Sequence, residues 1–405
     1  MYFYAARQPI LDKNKQLFAY ELLFRDSLDN IFPDIDGDEA TSKMIEASRF
    51  NMGITEFTGG KPAFINFTLE TLNSNYPEML TSDEVVVEIL ETIKPGKRLL
   101  AHCKDLHAKG YTLALDDYIH QSVWQHFYPY IHIIKLDWQD IDISTIQEIK
   151  TAIAKFPHIK LLAEKVETYE EYEQALDLGC ELFQGYFFSQ PEMVKTKNLS
   201  PSQISMAELL YETSKPELDL TNITSVFERD VTLSYKLLRY ANSPIFRRRN
   251  EISTIKQALV ILGSAELQRF IALMFAVNAN PDKPSELIKL SMARAKFCEM
   301  IAKELKLDGS IAFLTGLLSL IDAILDEKIE SVLETLPLSQ EIKQPLLTKK
   351  GPLAEVIKLV SEIERADWDD LDLVVETLQL NKDHVMTAYN DALLWADEQT
   401  TMIHD

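Results

Sequence analysis

Short apolar stretches and longer amphipathic stretches alternate along the first 190 residues or so, a pattern typical of strands and helices that follow one another. The strand candidates are Tyr2–Ile10, Leu17–Phe24, Ala63–Phe67, Val85–Leu90, Thr112–Leu115, His132–Leu136, Ile159–Ala163 and Leu182–Tyr186. The intervening stretches predict helices over Ala40–Asn51, Gly96–Ala108, Ser144–Phe156 and Thr168–Leu178. Regular alternation favours a parallel sheet, and about eight strands predict a closed, TIM-like α/β barrel.

The alternation stops beyond this region. Ser189–Gln203 contains two prolines and several polar residues, and it reads as a linker. Helix-period patterns follow at Ile204–Thr213, Thr232–Ala241, Ile255–Leu262, Ala265–Val277, Leu287–Leu305, Ile311–Leu325, Leu353–Ile363 and His384–Ala396. We therefore expect a barrel domain over 1–195, a linker over 196–203 and an all-α helical domain over 204–405.

Nearly every predicted strand carries a polar residue at or near its carboxyl end. These residues are Glu21, Asn66, Glu88, Asp116, Asp117, Lys135, Glu164 and Gln184. One such residue alone is most simply a solvent contact, and two adjacent aspartates alone are most simply an exposed turn. In a parallel barrel, however, the carboxyl ends converge on the face that carries the active site. We therefore expect these side chains to meet at one rim.

The residue types at this rim agree in their chemistry. Several carboxylates and one amide oxygen form an all-oxygen set, which suits hard cations such as Mg²⁺, Mn²⁺ or Ca²⁺. Carboxylates that hold two such ions about 3.5–4 Å apart serve in-line attack on phosphorus. Lys135 and Arg25 are the natural cations for phosphate oxygens or for orienting water.

The composition of the chain argues against some classes of binding partner and against a membrane location. The chain has 405 residues, with 63 acidic against 41 basic side chains and a net charge of -22. Such a balance argues against a surface that binds duplex nucleic acid. The three cysteines show no paired spacing, the amino terminus lacks a signal-peptide pattern, and the longest apolar run, Phe270–Val277, is far short of a bilayer span. These features predict a cytoplasmic protein.

Residues 1 to about 195 resemble an EAL domain. The matching segments are Gln8-Pro-Ile10, Glu21-Leu-Leu23 with Arg25, Asn66, Glu88-Ile-Leu-Glu91, Asp116-Asp117, Lys135, Ala163-Glu-Lys-Val-Glu167 and Gln184-Gly-Tyr186, with Pro191 beyond them. The resemblance implies a barrel that hydrolyses cyclic di-GMP to linear pGpG with two divalent cations, Mg²⁺ or Mn²⁺. It also implies a homodimer.

The resemblance also assigns roles to individual residues. It implies that the metal ligands are Glu21, Asn66, Glu88, Asp116, Asp117 and Glu164. Glu164 and Lys135 would act with Glu21 in catalysis, Glu164 beside the attacking water and Lys135 in contact with it. Gln8, Arg25 and Gln184 would contact the nucleotide. Glu91 would anchor the loop that follows the two aspartates.

Two departures from the family pattern keep a second hypothesis open. The loop after the aspartates reads Tyr118-Ile-His-Gln-Ser-Val123 and has no glycine, and Lys165 replaces a glycine beside Glu164. The change in the loop bears on catalytic rate more than on binding, and Lys165 adds bulk and charge next to the expected water. The alternative is a weak or inactive barrel that serves as a cyclic di-GMP receptor or scaffold, with output through the helical half.

The helical half resembles an HDOD domain. The matching segments are Arg229-Asp-Val-Thr-Leu233, Lys236-Leu-Leu-Arg-Tyr-Ala-Asn-Ser243, Ile255-Lys-Gln-Ala258, Leu262-Gly263 and Gly316-Leu-Leu318. A related hydrolase would need His-Asp metal ligands, yet Ser319-Leu320 follow the last segment and no histidine occurs between His158 and His384. We therefore expect no metal in this half. Its expected role is regulation or binding of a protein partner.

Overall fold

The computed structural model describes residues 4–25, 54–189, 206, 209, 212–213, 219–243, 246, 252–280, 283–336 and 338–404. It divides into two compact units, one made of 1–188 with 363–369 and the other of 189–362 with 370–405. The predicted helix Ala40–Asn51, most of the predicted linker and most of Ile204–Thr213 lie outside the described residues. The side chain of Arg25 lies outside them as well.

The first unit contains a closed barrel of eight strands in sequential order. The strands are β1 (Tyr4–Asp12), β2 (Leu17–Arg25), β3 (Ala63–Phe67), β4 (Val85–Ile89), β5 (Thr112–Leu115), β6 (Ile133–Asp137), β7 (Lys160–Glu164) and β8 (Leu182–Gln184). Helices between the strands run over Ile54–Phe57, Leu69–Asn73, Lys97–Ala108, Ile143–Ile153 and Tyr169–Asp177. The predicted α/β barrel is confirmed.

The direction of the first strand differs from the all-parallel sheet expected from the alternation. β1 pairs antiparallel with both β2 and β8, whereas the other neighbours pair in parallel. The physical reason lies in the connection between β1 and β2. A short turn joins Asp12 to Leu17, and a connection of that length can join only antiparallel strands, because a parallel crossover needs about a dozen residues or more.

The barrel interior is filled by one apolar layer. Each strand contributes one buried residue to it, namely Ile10, Ala19, Phe64, Val86, Ala114, Ile133, Leu162 and Leu182. Because successive side chains of a strand point to opposite faces, the residue two positions from each of these also points inward. The position of the apolar residue in each strand therefore determines which residue of that strand lies directly above the layer.

The second half of the chain is helical, as expected. Its long helices run over Ile255–Ala279, Ser285–Glu304, Pro352–Arg365 and Lys382–His404. Shorter helices occupy Leu220–Arg229, Val231–Ala241, Gly309–Leu317, Ile321–Leu325, Ile329–Thr335, Gln340–Thr348 and Trp368–Thr377. Four of these, Leu220–Arg229, Ile329–Thr335, Gln340–Thr348 and Trp368–Thr377, were not predicted.

The helix over Ile255–Ala279 is interrupted at Gly263, whose φ of 71° and ψ of 177° are not helical. The break agrees with the two separate patterns expected on either side of this glycine. Within the described residues, Ile255–Val277 is the one stretch long and apolar enough for a membrane span, and half of its most apolar window is buried inside the protein. Core helices meet the same criteria, so this finding is weak evidence for a membrane segment.

Gly316 allows two helices to approach closely. A Cβ atom at this position would lie 2.6 Å from the carbonyl oxygen of Arg294 and 2.9 Å from the Cα atom of Ala295. We expect Gly316→Ala to lower the free energy of unfolding by about 1–3 kcal/mol, because backbone atoms rather than a flexible side chain would have to move. Urea unfolding followed by circular dichroism measures this change.

The matched control for Gly316→Ala is Gly309→Ala, at the start of the same helix. A Cβ atom there would meet only side-chain atoms of Lys303 and Glu299, at 3.3 Å and beyond. This variant should be neutral or slightly stabilising because alanine favours helix. Equal losses in both variants would contradict the close-approach argument.

Candidate metal centre

Eight polar residues lie directly above the interior layer, seven within a strand and one, Asp116, directly after β5. They are Gln8, Glu21, Asn66, Glu88, Asp116, Lys135, Glu164 and Gln184, each two positions from that strand's member of the apolar layer. In β2 to β8 the polar residue comes after the apolar one, toward the carboxyl end. In antiparallel β1 it comes before, so Gln8 reaches the same rim.

Lys135 lies at the centre of the carboxylates. Its Nζ atom lies 2.7 Å from Asp116 Oδ1, 2.7 Å from Glu164 Oε1 and 3.4 Å from Glu21 Oε2. It also forms an ion pair with Glu88. The Lys135 side chain is only 1% exposed and that of Glu88 is 0% exposed, so water screens these charges little. The structure thus brings four of the predicted metal ligands around one ammonium group.

A pair of glutamines continues the site toward β1 and β8. The Gln184 Nε2 atom donates hydrogen bonds to Glu21 Oε2 at 2.6 Å and to Gln8 Oε1 at 2.9 Å. Asn66 lies opposite Glu88 in the pairing of β3 with β4. These contacts place Gln8 and Gln184 beside the carboxylates, and the register places Asn66 there as well. Asn66 and Gln184 were predicted at this rim from their positions at strand ends, whereas Gln8 was assigned only through the family resemblance.

Asp117 joins the site although it breaks the strand alternation. Its φ of 36° is a left-handed conformation, uncommon for a residue with a side chain. Carboxylate oxygens of Asp116, Asp117 and Glu164 all lie within 4.8 Å of one another, a spacing that a metal ion can bridge. This group shares Asp116 and Glu164 with the carboxylates around Lys135 and adds Asp117 to them.

Burial raises the pKa of three of these carboxyl groups. It raises the pKa of Glu164 to about 8, although the charge of Lys135 acts in the opposite direction. Burial also raises the pKa of Glu88 well above its ordinary value, again against Lys135. The pKa of Asp117 is raised by burial first and by the neighbouring Asp116 charge second. Protons therefore offset part of the negative charge when no metal is bound.

The pKa of Lys135 moves the opposite way from what burial alone would do. Burial lowers it, but the surrounding carboxylates, with Glu164 first and Glu21 next, together outweigh burial and raise it well above the ordinary value. Lys135 therefore remains charged across the physiological range of pH. It supplies one positive charge to a site that holds several acidic groups.

The donor set fits divalent cations of the hard class. Every donor is a carboxylate or an amide oxygen. The Oε2 atom of Glu88 is buried and has no hydrogen-bond donor among the residues that the structure describes. An oxygen in this position is costly to bury unless a cation or a donor approaches it. The residues present can therefore hold such ions.

Two predicted residues are not joined to this centre by any described contact. Arg25 ends β2, and its side chain is outside the described part of the chain. Glu91 is exposed and lies along a cavity shared with the loop after Asp117, without a described hydrogen bond to that loop. Its role as a loop anchor stays a prediction.

Sequence reasoning missed some neighbours of the centre. Lys165, noted as a departure, forms an ion pair with Asp137 at the end of β6, and Asp137 lies opposite Glu164 in register. Asp137 follows the predicted strand His132–Leu136 by one residue, so a longer strand would have included it. A buried hydrogen bond between Tyr118 and Tyr128 was also missed, since it joins residues 10 positions apart in an irregular loop.

Family models agree with the two halves of the fold. A model described as the EAL domain matches residues 37–191, and one described as the HDOD domain matches residues 200–341. A solved complex of BlrP1 from Klebsiella pneumoniae with calcium and cyclic di-GMP is 24% identical over 45% of this chain and 54% of that one, with a TM-score of 0.38.

Two curated relatives match almost from end to end. Cyclic di-GMP phosphodiesterase CdgJ of Vibrio cholerae is 36% identical over 99% of this chain and 94% of its own length. Uncharacterized protein YuxH of Bacillus subtilis is 37% identical over 97% of each chain. The fold and the site are those of a barrel protein with a carboxylate centre. The chain belongs to the family of proteins that join an EAL domain to an HDOD domain.

The raised pKa of Glu164 predicts a pH dependence of stability. A carboxyl group whose pKa is higher in the folded state binds its proton more tightly there, so its contribution is full below its ordinary pKa of 4.5 and is lost as pH rises through about 8. For the metal-free protein we expect the free energy of unfolding to fall by on the order of 2 kcal/mol between about pH 6 and about pH 8. Urea unfolding at each pH measures it.

Glu164→Gln is the control for this pH dependence, because the amide keeps the shape and cannot ionise. The fall in stability over the same pH interval should be smaller in this variant than in the wild type. If the two proteins show the same pH profile, Glu164 does not titrate as its burial requires.

Proposed function

We propose that the barrel is a metal-dependent phosphodiesterase that hydrolyses cyclic di-GMP to linear pGpG. One observation carries the proposal: a polar residue in or directly after every strand lies above the interior layer, and the set is rich in carboxylates around Lys135. The name of the relative CdgJ, a cyclic di-GMP phosphodiesterase, supports the choice of substrate.

The proposed cofactors are two divalent cations, Mg²⁺ or Mn²⁺. The proposed ligands are Glu21, Asn66, Glu88, Asp116, Asp117 and Glu164, whose oxygen atoms suit such ions. Bound ions of this class stabilise the negative charge that develops when a phosphodiester is attacked. The cluster of Asp116, Asp117 and Glu164 supports one of the two positions, since its oxygens already lie within bridging distance.

The remaining residues are assigned to the water and the nucleotide. Glu164 lies beside the attacking water and accepts its proton, a role that requires an ionised carboxyl group, which bound cations favour. Lys135 orients this water through its ammonium group. Gln8 and Gln184 contact the nucleotide through their amide groups, in exchange for bonds such as the one from Gln8 Nε2 to the carbonyl oxygen of Glu364 at 3.2 Å. Arg25 offers a cation to the phosphate of the nucleotide.

A second candidate function is binding of cyclic di-GMP without turnover. The ion pair between Lys165 and Asp137 favours it, because it brings an additional cation beside Glu164, where a glycine would leave room. In that case the barrel is a receptor and the signal passes to the helical half. We propose that the HDOD half is non-catalytic and binds a protein partner, that the protein forms a homodimer, and that it acts in the cytoplasm.

Glu21→Gln tests the enzymatic proposal. The change removes one charge at nearly constant shape, and we expect release of linear pGpG to fall about 100-fold or more, since a ligand and its geometry are both affected. The assay incubates the full-length protein with cyclic di-GMP and Mg²⁺ or Mn²⁺, and separates the products by chromatography. Chelation with EDTA should abolish turnover by the wild type.

The matched control is Glu173→Gln, the same substitution on an exposed position of the helix Tyr169–Asp177. It should leave turnover unchanged. Tight binding of cyclic di-GMP by the wild type without product would reject the enzyme and support the receptor. Absence of both binding and product would reject both functions.

A further inference from the structure

The backbone on both sides of Asp117 is anchored to neighbouring strands. The Asp116 N–H group donates to the carbonyl oxygen of Ile89 at 3.0 Å, and the Tyr118 N–H group donates to that of Lys135 at 3.1 Å. Between these anchors Asp117 adopts its left-handed φ of 36°. Such a conformation persists in a residue with a side chain only where the surroundings hold it.

A pair of tyrosines in the loop after Asp117 supplies part of these surroundings. The hydroxyl groups of Tyr118 and Tyr128 share a hydrogen bond of 2.8 Å, and both side chains are buried. The Tyr118 hydroxyl is also 3.2 Å from His120 Nδ1. We call Tyr118 and Tyr128 the tyrosine clamp. The clamp ties the residue that follows Asp117 to the far end of the loop.

Aromatic packing holds the clamp in place on the Tyr128 side. The rings of Tyr128 and Phe156 lie 5.6 Å apart, edge to face, and Phe156 follows the helix Ile143–Ile153. The Tyr118 ring lies 6.1 Å from that of Trp124, in the short helical turn Ser122–His126. Tyr128 is therefore held by packing against Phe156, and Tyr118 is hydrogen-bonded to it.

The same loop borders a cavity of about 460 Å³. Its walls include Asp117, Tyr118, Ile119 and Trp124 from the loop and Ile93 from the segment after β4. The cavity separates the loop from this segment, so close packing between them does not fix the loop on this side. The hydrogen bond between Tyr118 and Tyr128 is a specific contact that favours one position of the loop.

We propose that Tyr128 is a positioning residue which, through Tyr118, holds the Asp117 carboxylate where the second divalent cation binds. The inference rests on the proposed two-cation function. In this chain the clamp takes the place of the glycine-containing loop of the family pattern. It gives a loop without glycine a single conformation, in which Asp117 faces Asp116 and Glu164.

Tyr128→Phe tests the clamp because it removes only the hydroxyl group. Calorimetric titration of the full-length protein with Mn²⁺ should show the weaker of two binding steps reduced about three- to tenfold, the range expected for one lost hydrogen bond, with the tighter step unchanged. Tyr118→Phe should weaken this step at least as much, because it also removes the contact with His120 Nδ1. The double variant should lose little more than Tyr118→Phe alone, because the bond between the two tyrosines is already lost in that variant.

The matched control is Tyr130→Phe, two positions further along. The Tyr130 hydroxyl has no hydrogen-bond partner among the described residues, although its ring packs against His107. This variant should bind both cations as the wild type does. Unchanged Mn²⁺ binding in Tyr128→Phe, or equal weakening of both steps, would overturn the proposal.

Amide hydrogen exchange over residues 117–124 tests the clamp independently of the proposed function. Exchange should be faster in Tyr128→Phe than in Tyr130→Phe even when no metal is added, and equal rates would overturn the clamp. A wild-type protein that binds no divalent cation would contradict the two-cation function. The assignment of Tyr128 as a positioning residue for a cation would then fall with it, whatever the exchange rates.

Discussion

The carboxylate centre of the barrel holds several acidic side chains close together where little water reaches them. Repulsion among such groups is strong in a medium of low polarity, so each charge needs a partner. The ammonium group of Lys135 supplies one, in contact with Glu21, Glu88, Asp116 and Glu164. Protons on carboxyl groups of raised pKa supply part of the remainder. Divalent cations can replace those protons, and this is why such a centre is suited to bind them.

The pairing of the strands makes this arrangement possible. Side chains alternate along a strand, so the residue that packs in the apolar layer fixes the direction of the polar residue two positions away. In the pairing of β3 with β4, Phe64 lies opposite Val86 and Asn66 lies opposite Glu88. A slip of one residue in this pairing would turn the polar side chains of a strand to the outer face. The apolar layer and the charged centre thus depend on the same register.

Much of this could be predicted from the sequence because it follows from local pattern. Strands such as Thr112–Leu115 read as apolar runs that end at carboxylates, and the capping box at Thr168 and Glu171 marks a helix start that the structure contains. The direction of β1 could not be obtained from alternation alone, since alternation gives the order of elements and not their direction. The short connection to β2 was the available signal.

Other features depend on tertiary contacts that leave little trace in sequence. The bond between Tyr118 and Tyr128 joins two ordinary aromatic residues whose partners are set by the fold around them. The left-handed conformation of Asp117 could not be predicted either, because most aspartates have a negative φ and nothing in the local sequence distinguishes this one. The helices Leu220–Arg229 and Gln340–Thr348 were not predicted from the pattern of apolar positions.

The reversed direction of β1 has a consequence for the position of its amino end. Because Gln8 reaches the rim from a strand that runs opposite to β3 through β8, the chain enters β1 at the rim and not at the barrel floor. The amino end of β1, at Tyr4, therefore lies on the same side of the barrel as the carboxylates, next to the carboxyl end of β2. In an all-parallel barrel the amino end of the first strand would lie on the opposite side.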